Sequence, residues 1–308
     1  MKKHSVSKKA WIEIALAFGL FAAFAVLAGI YDLVINKALY NPDSLFGQFF
    51  ARLGEMPSYL AAPAAGAILY RQGLGKAKWQ KLVIGAFFIL LTFGGWFFAL
   101  SAWFWENFVN HSLPYAMVYK LFFSAFMTLL TLLCVSFVDK KAIKKLLPFA
   151  VFLIIVTVVS NVIVQIMKMG WARQRFRTMV GSGDFSGFAP WYKPQFLFPS
   201  PVRTPEYIAA VKAADSDAFR SFPSGHTVAA AASFAIIILP EMYKGLKKYA
   251  LLFWIAPIAY TVAVAVSRIV MGAHYLSDVL FGGYIGFGTA ALARFVIVRK
   301  YPHKLSGE

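Results

Sequence analysis

His274 and Asp278 stand four residues apart, one turn apart on one helical face, where a carboxylate can accept the imidazole Nδ1 proton and fix the tautomer. The other ring nitrogen is then free to act as a nucleophile or base, and Ser267-Arg268 lie just upstream. A second cluster is Phe222-Pro223-Ser224-Gly225-His226-Thr227. Proline and serine suit a first helical turn, glycine admits a ligand to the free backbone amides there, and the helix dipole attracts an anion. An imidazole at such a site, His226, can deliver a proton near neutral pH. The third cluster is Asn161, Gln165, Lys168 and, if helix continues past Gly170, Arg175, at steps that keep all four on one face. Each cluster alone has a plainer reading: a capping salt link for His274 and Asp278, an ordinary helix start for Pro-Ser-Gly, snorkelling to headgroups for Lys168.

The elements that must position these residues are membrane helices. Of 308 residues, 60% are hydrophobic, 17% aromatic and only 14% charged, against roughly 25% charged in a soluble domain. The apolar residues gather into runs of about twenty, the length that spans a hydrocarbon core as helix. Hydropathy places spans near Trp11–Val34, Pro57–Tyr70, Leu82–Trp105, Met117–Val138, Leu146–Met167, Phe222–Leu239, Tyr249–Val266 and Leu276–Val298. The fold class is therefore all-α, a polytopic transmembrane bundle of about eight spans, the short Pro57 span being the weakest. A cleaved signal peptide is the alternative for the first span, which is long for that purpose.

Lys and Arg outnumber Asp and Glu 31 to 13, giving a formal charge of +18. The placement of the excess sets sidedness. Lys2, Lys3, Lys8 and Lys9, then Arg71, Lys76, Lys78 and Lys81, then Lys140, Lys141, Lys144 and Lys145, then Lys244, Lys247 and Lys248, and finally Arg299, Lys300 and Lys304 fall in alternate connections and tails. Both termini are expected to be cytoplasmic. The opposite side has Lys37 and Arg52 in its first connection and no Lys or Arg around Glu106 and His111. The surplus thus serves topology and requires no nucleic acid. Cys134, the only cysteine, excludes an intrachain disulfide and a Cys-based zinc site.

One extracytoplasmic loop breaks the pattern. Between 168 and 221 it carries Lys168, Arg173, Arg175, Arg177, Lys193, Arg203, Lys212 and Arg220, with prolines and aromatics interleaved. An interfacial cap with a short helix near Pro205–Ala214 is expected, and anionic lipid headgroups would account for part of its charge. All three clusters border this surface. Together they supply the cations Lys168, Arg175 and Arg268, the amides of Ser224 and Gly225, two histidines and one carboxylate. That inventory suits phosphoryl transfer, in which fixed cations and amides stabilise the charge of the transition state.

These residues resemble the type-2 phosphatidic acid phosphatase superfamily, whose pattern is K-x6-R-P, then P-S-G-H, then S-R-x5-H-x3-D. Lys168 and Arg175 match the first part, Pro223 to His226 the second, and Ser267, Arg268, His274 and Asp278 the third. Phe176 stands where the family has proline. The resemblance covers roughly Leu146–Val298. It implies a six-span phosphatase core whose catalytic part, carrying the three motifs, is residues 146–298, preceded by N-terminal spans in 1–145, two of them beyond that core, and followed by a cytoplasmic tail at 299–308. It also implies that His274 attacks phosphorus to give a phosphohistidine and that Asp278 orients the ring. His226 protonates the leaving group and activates water, while Lys168, Arg175, Ser224, Gly225 and Arg268 hold the phosphate. No metal or other cofactor is implied, and His4, His111 and His303 lie outside the constellation.

The function expected from residues and resemblance together is hydrolysis of a lipid phosphate or diphosphate at the non-cytoplasmic surface, the phosphatidate, phosphatidylglycerol phosphate or polyprenyl diphosphate type. The bilayer and a lipid substrate are the expected partners. A soluble ester such as a sugar phosphate, an anion transporter and a non-catalytic lipid-binding protein are the alternatives. A transporter would place its binding groups near mid-membrane on broken spans in paired halves, and neither feature is present.

Overall fold

The computed structural model describes residues 8–104 and 116–300. Lys2, Lys3, Glu106, His111 and Lys304, with His4 and His303, lie outside the described residues. The elements in chain order are α1 (Lys8–Leu39), α2 (Leu45–Leu53), α3 (Met56–Gln72), α4 (Lys78–Phe104), α5 (Ala116–Ser136), α6 (Lys140–Lys145), α7 (Leu147–Trp171), α8 (Arg177–Val180) and α9 (Pro205–Ala214). There follow α10 (Gly225–Ala231), a 3₁₀ stretch (Ala232–Ile238), α11 (Leu239–Met242), a second 3₁₀ stretch (Lys244–Tyr249), α12 (Ala250–Val270) and α13 (Leu276–Lys300). No strand occurs among the described residues.

Among the described residues, seven helical segments are long and apolar enough to cross a membrane. The eighth expected span is α3, 17 residues long and rich in Ala, Gly and Pro. It packs against α4 and α7 with its small residues buried, so it lies inside the bundle rather than facing lipid. Leu, Phe and Val side chains stay exposed along α1, α4, α5 and α7, as a bilayer contact requires. The protein is a multi-pass helical membrane bundle.

The centre of the bundle is the segment from α10 to α11. Its apolar stretch is 67% buried, against 33% or less in the other six segments long enough to cross a membrane. It packs against α12, α13, α7 and α3. Close approach of α13 depends on Gly282 and Gly286: a Cβ at the first would stand 2.6 Å from the Ser224 carbonyl, and one at the second 2.3 Å from the Ala231 Cβ. The hydrophobic core, including Phe152, Val156, Phe234, Ile238 and Met242 with Leu69 and Ile68 of α3, fills one half of the bundle.

The opposite half is polar. The C-terminal ends of α1, α7 and α12 meet the N-terminal ends of α10 and α13 there, under the long loop between α7 and α10. The basic connections belong to the core-filled end, where Gln72 bonds the Ile143 carbonyl at 2.7 Å and Lys145 lies 4.8 Å from the centre of the Tyr243 ring. The cap helix α9 begins at Thr204, whose hydroxyl accepts from the Tyr207 amide. Three cap arginines pair with groups of the protein itself. Arg203 donates to the Ala172 and Gly187 carbonyls, Arg177 makes two bonds to Asp215, and Arg173 is fully buried among carboxylates. Burial opposes ionisation of Asp215, but the Arg177 guanidinium outweighs it and holds the carboxyl below the usual range.

Candidate active site

The nucleophile candidate sits on a short bridge between α12 and α13. The turn at Gly272 and the acceptance of both the Ala273 and His274 amides by the Arg268 carbonyl fold this bridge back on itself. His274 is buried, and its Nδ1 lies 2.6 Å from the Ser221 carbonyl oxygen. A carbonyl can only accept, so Nδ1 carries the proton and Nε2 presents a lone pair.

The partner of Nδ1 differs from the sequence expectation, which gave that role to Asp278. Asp278 Oδ2 is 3.6 Å from Nδ1. Its oxygens are already engaged: Oδ1 accepts from Arg173 at 2.6 Å, and Oδ2 accepts from the Ser221 hydroxyl at 2.5 Å and the Tyr275 amide at 2.8 Å. Ser221 thus serves both groups, its carbonyl holding the imidazole and its hydroxyl holding the carboxylate. Asp278 acts on the ring through its charge and through Ser221.

Burial, with the cations Arg175, Lys168 and Arg268 around it, pushes His274 well below its ordinary value. The ring is therefore neutral at physiological pH. Lys168, Arg175 and Arg268 all lie within electrostatic reach of His274.

They arrive by different routes. Lys168 comes from the last turn of α7, and its ammonium stands 3.2 Å from where a Gly225 Cβ would be. It makes no hydrogen bond or ion pair among the described residues. Arg175 is not on that helix: α7 ends at Trp171 and Ala172 takes a left-handed φ of 42°. The shared-face expectation fails for Arg175 because the chain turns there. The loop instead delivers it, its amide donating to the Ala218 carbonyl at 2.8 Å. Its guanidinium reaches Asp217 only at 3.4 Å, and its Nε is buried without an acceptor. Arg268 is buried at the end of α12. Asn161 and Gln165 stay apart from the site, bonded to Ser58 and Arg220 respectively.

Phe176, in place of proline, has φ −57°, a value proline itself would adopt. Its ring packs on Tyr40, Phe185 and Tyr275. Aromatic packing thus anchors the turn beside Arg175.

The Ser224 amide, expected to bind phosphate, donates to the Asp278 carbonyl at 2.9 Å, which staples α10 to α13. The Ser224 hydroxyl accepts from the Thr227 amide and hydroxyl, leaving its own proton to give. The Gly225 and His226 amides have no acceptor among the described residues. His226 is within electrostatic reach of His274, Arg268 and Arg175. Its Nδ1 lies 3.3 Å from Glu55 and its Nε2 3.2 Å from the Ala51 carbonyl. Glu55, between α2 and α3, also accepts from Tyr59 at 2.5 Å.

Glu55, Arg173, Ser221, Asp32 and Asn36 adjoin the site but escaped the motif reading. Asp32 offered a signal: an ionisable residue inside an apolar span is functional by default. Glu55 and Ser221 offered none, since their contacts depend on loop geometry.

Comparison with known proteins adds one finding. Residues 149–301 match the model of the PAP2 superfamily. No curated protein and no solved structure matches the chain. The matched residues contain the ends of α7, α10, α12 and α13 that build the site, and through them the chain belongs to the PAP2 superfamily, as a membrane phosphatase of that group.

Proposed function

We propose that the protein hydrolyses a lipid phosphate or diphosphate through a phosphohistidine on His274. The observation that carries this reading is His274 with Nδ1 bonded to the Ser221 carbonyl, which leaves Nε2 its lone pair, within electrostatic reach of Lys168, Arg175 and Arg268. Nε2 attacks phosphorus as the bond from phosphorus to the leaving oxygen breaks, and His226 gives that oxygen a proton. The proton stays on Nδ1, hydrogen-bonded to the Ser221 carbonyl, and the Asp278 charge stabilises the cationic phosphorylated ring. Water then attacks phosphorus, His226 takes its proton, and inorganic phosphate leaves with the imidazole restored. Lys168, Arg175, Arg268, the Ser224 hydroxyl and the Gly225 amide hold the phosphoryl oxygens throughout, Lys168 as a point charge and the arginines through their planar donors.

The lipid class rests on the rim. Met169, Phe196, Leu197 and Phe198 are exposed at the end of α7, and Leu45, Phe46 and Phe49 are exposed on α2. An acyl or polyprenyl chain can stay against these apolar residues while its headgroup enters the cationic pocket. The charge bias of the connections supports cytoplasmic termini and a non-cytoplasmic site, since the basic loops lie at the other end of the helices.

The test is inorganic phosphate release by the full-length protein from phosphatidate, phosphatidylglycerol phosphate, polyprenyl diphosphate and a sugar phosphate. Release from a lipid that disappears in folded His274→Ala supports the proposal. Intact release in that variant removes the mechanism, and preference for the sugar phosphate removes the lipid class.

A further inference from the structure

α1 lies outside the matched residues 149–301, yet it supplies part of the site's framework. Asp32 and Asn36 are one turn apart on its inner face, and both are fully buried. Asp32 accepts from the Ser277 amide at 2.9 Å, the Ser277 hydroxyl at 2.5 Å and Arg173 at 2.9 Å. Asn36 donates to the backbone carbonyl of His274 itself at 3.0 Å. Just beyond the helix, the Asn41 amide donates to the Val270 carbonyl at 2.9 Å. The first helix thus grips the nucleophile's bridge at its start, at the histidine and at its end.

Arg173 completes this frame. Its guanidinium joins Asp32 to Asp278, touches the Ser277 hydroxyl at 2.7 Å and the Ala189 carbonyl at 2.7 Å, and lies 4.0 Å from the centre of the Tyr275 ring. Both Asp32 oxygens only accept, the pattern of an ionised carboxylate. One guanidinium is therefore shared between two carboxylates, and Asp278 keeps part of its charge for the imidazole 3.6 Å away.

We propose that Asp32 and Asn36 of the first helix, with Arg173, are positioning residues for His274. Asn36 fixes the backbone of the nucleophile, and Asp32 draws on Arg173 so that Asp278 is not fully neutralised. This inference rests on the phosphatase reading for its kinetic consequence but not for its geometric one.

The experiment uses the full-length protein in lipid nanodiscs, with Asn36→Leu and Asp32→Asn read three ways: folded fraction, kcat and KM per folded molecule, and the ¹⁵N resonances of His274. A displaced nucleophile should cost about 10-fold to 100-fold in kcat with KM within about 2-fold, since misplacement by an ångström can cost that much. The His274 signals should lose their single Nδ1–H tautomer in Asn36→Leu, which frees the backbone of the bridge, and keep it with shifted resonances in Asp32→Asn, where only the charge at Asp278 changes. Asp32→Asn removes one partner from a buried ion cluster and can fail to fold; Asn36→Leu changes no charge and then decides the matter. Wild-type kcat and unchanged His274 resonances in Asn36→Leu would overturn the proposal. Should the wild-type chain release phosphate from no substrate in the panel, the phosphatase reading falls, while the resonances still decide whether α1 positions the histidine.

Discussion

The Ser221 carbonyl, 2.6 Å from His274 Nδ1, holds the imidazole more closely than Asp278 does at 3.6 Å. A backbone acceptor cannot be titrated or mutated away, so the tautomer survives loss of the carboxylate's charge. Where an aspartate alone fixes the tautomer, its replacement by asparagine costs about 10⁴ in kcat. Asp278→Asn should cost less here, about 10²-fold, reflecting lost charge stabilisation rather than a wrong tautomer. Steady-state kcat with the preferred substrate of the panel checks this, and a fall as deep as that of His274→Ala would contradict it.

Burial and three neighbouring cations keep His274 neutral below its ordinary value of 6.5. From about pH 6.5 down to the folded-state value, the unfolded chain takes up a proton at this residue that the folded chain does not. The stability due to this group therefore falls on acidification through that window and recovers on return to neutral pH. A ¹⁵N titration of the apo protein should show His274 still neutral at pH 6, and an imidazolium at that pH would refute the assignment.

Glu55 and His226 form the second carboxylate–histidine contact of the site, at 3.3 Å. In the proposed reaction Glu55 fixes the orientation of the ring that protonates the leaving oxygen. Glu55→Gln should lower kcat by about 10-fold while leaving the protein folded, a fraction of the 10²–10⁴ that acid–base groups supply. Parallel measurement of Tyr59→Phe should show a smaller loss, because Tyr59 acts only through Glu55.

Close packing of α13 on α10 yields a stability prediction. A methyl at Gly286 would stand 2.3 Å from the Ala231 Cβ, so Gly286→Ala should destabilise by about 1–3 kcal/mol, the usual cost of overpacking. Thermal unfolding in one fixed detergent measures this, with Gly288→Ala, where nothing lies within 4 Å, as the control.

The sequence was most informative where a pattern depends on local spacing. Apolar runs reported the spans, and four-residue steps brought Gly282 and Gly286 to the face that meets α10. The three clusters could be assigned to one surface by charge bias alone. Contacts that depend on how the chain turns were not legible. Arg175 lies beyond a left-handed residue at Ala172 that no glycine announces, so the face argument could not place it. Asp278 was read as the partner of His274 because helical spacing allows it, whereas the acceptor is a backbone oxygen from a residue 53 positions away. Backbone groups carry no side-chain signature.

The internal pairing of the cap arginines has a consequence for ionic strength. Charges sealed against Ala172, Gly187, Asp32 and Asp278 are shielded from mobile ions, while Lys193 and Lys212 stand in solvent. At about 1 M salt the screening length shrinks to roughly 3 Å, which silences exposed lysines but not buried guanidinium groups. Concentrated electrolyte should therefore slow capture of anionic headgroups from the bilayer while the loop remains seated over the helix ends.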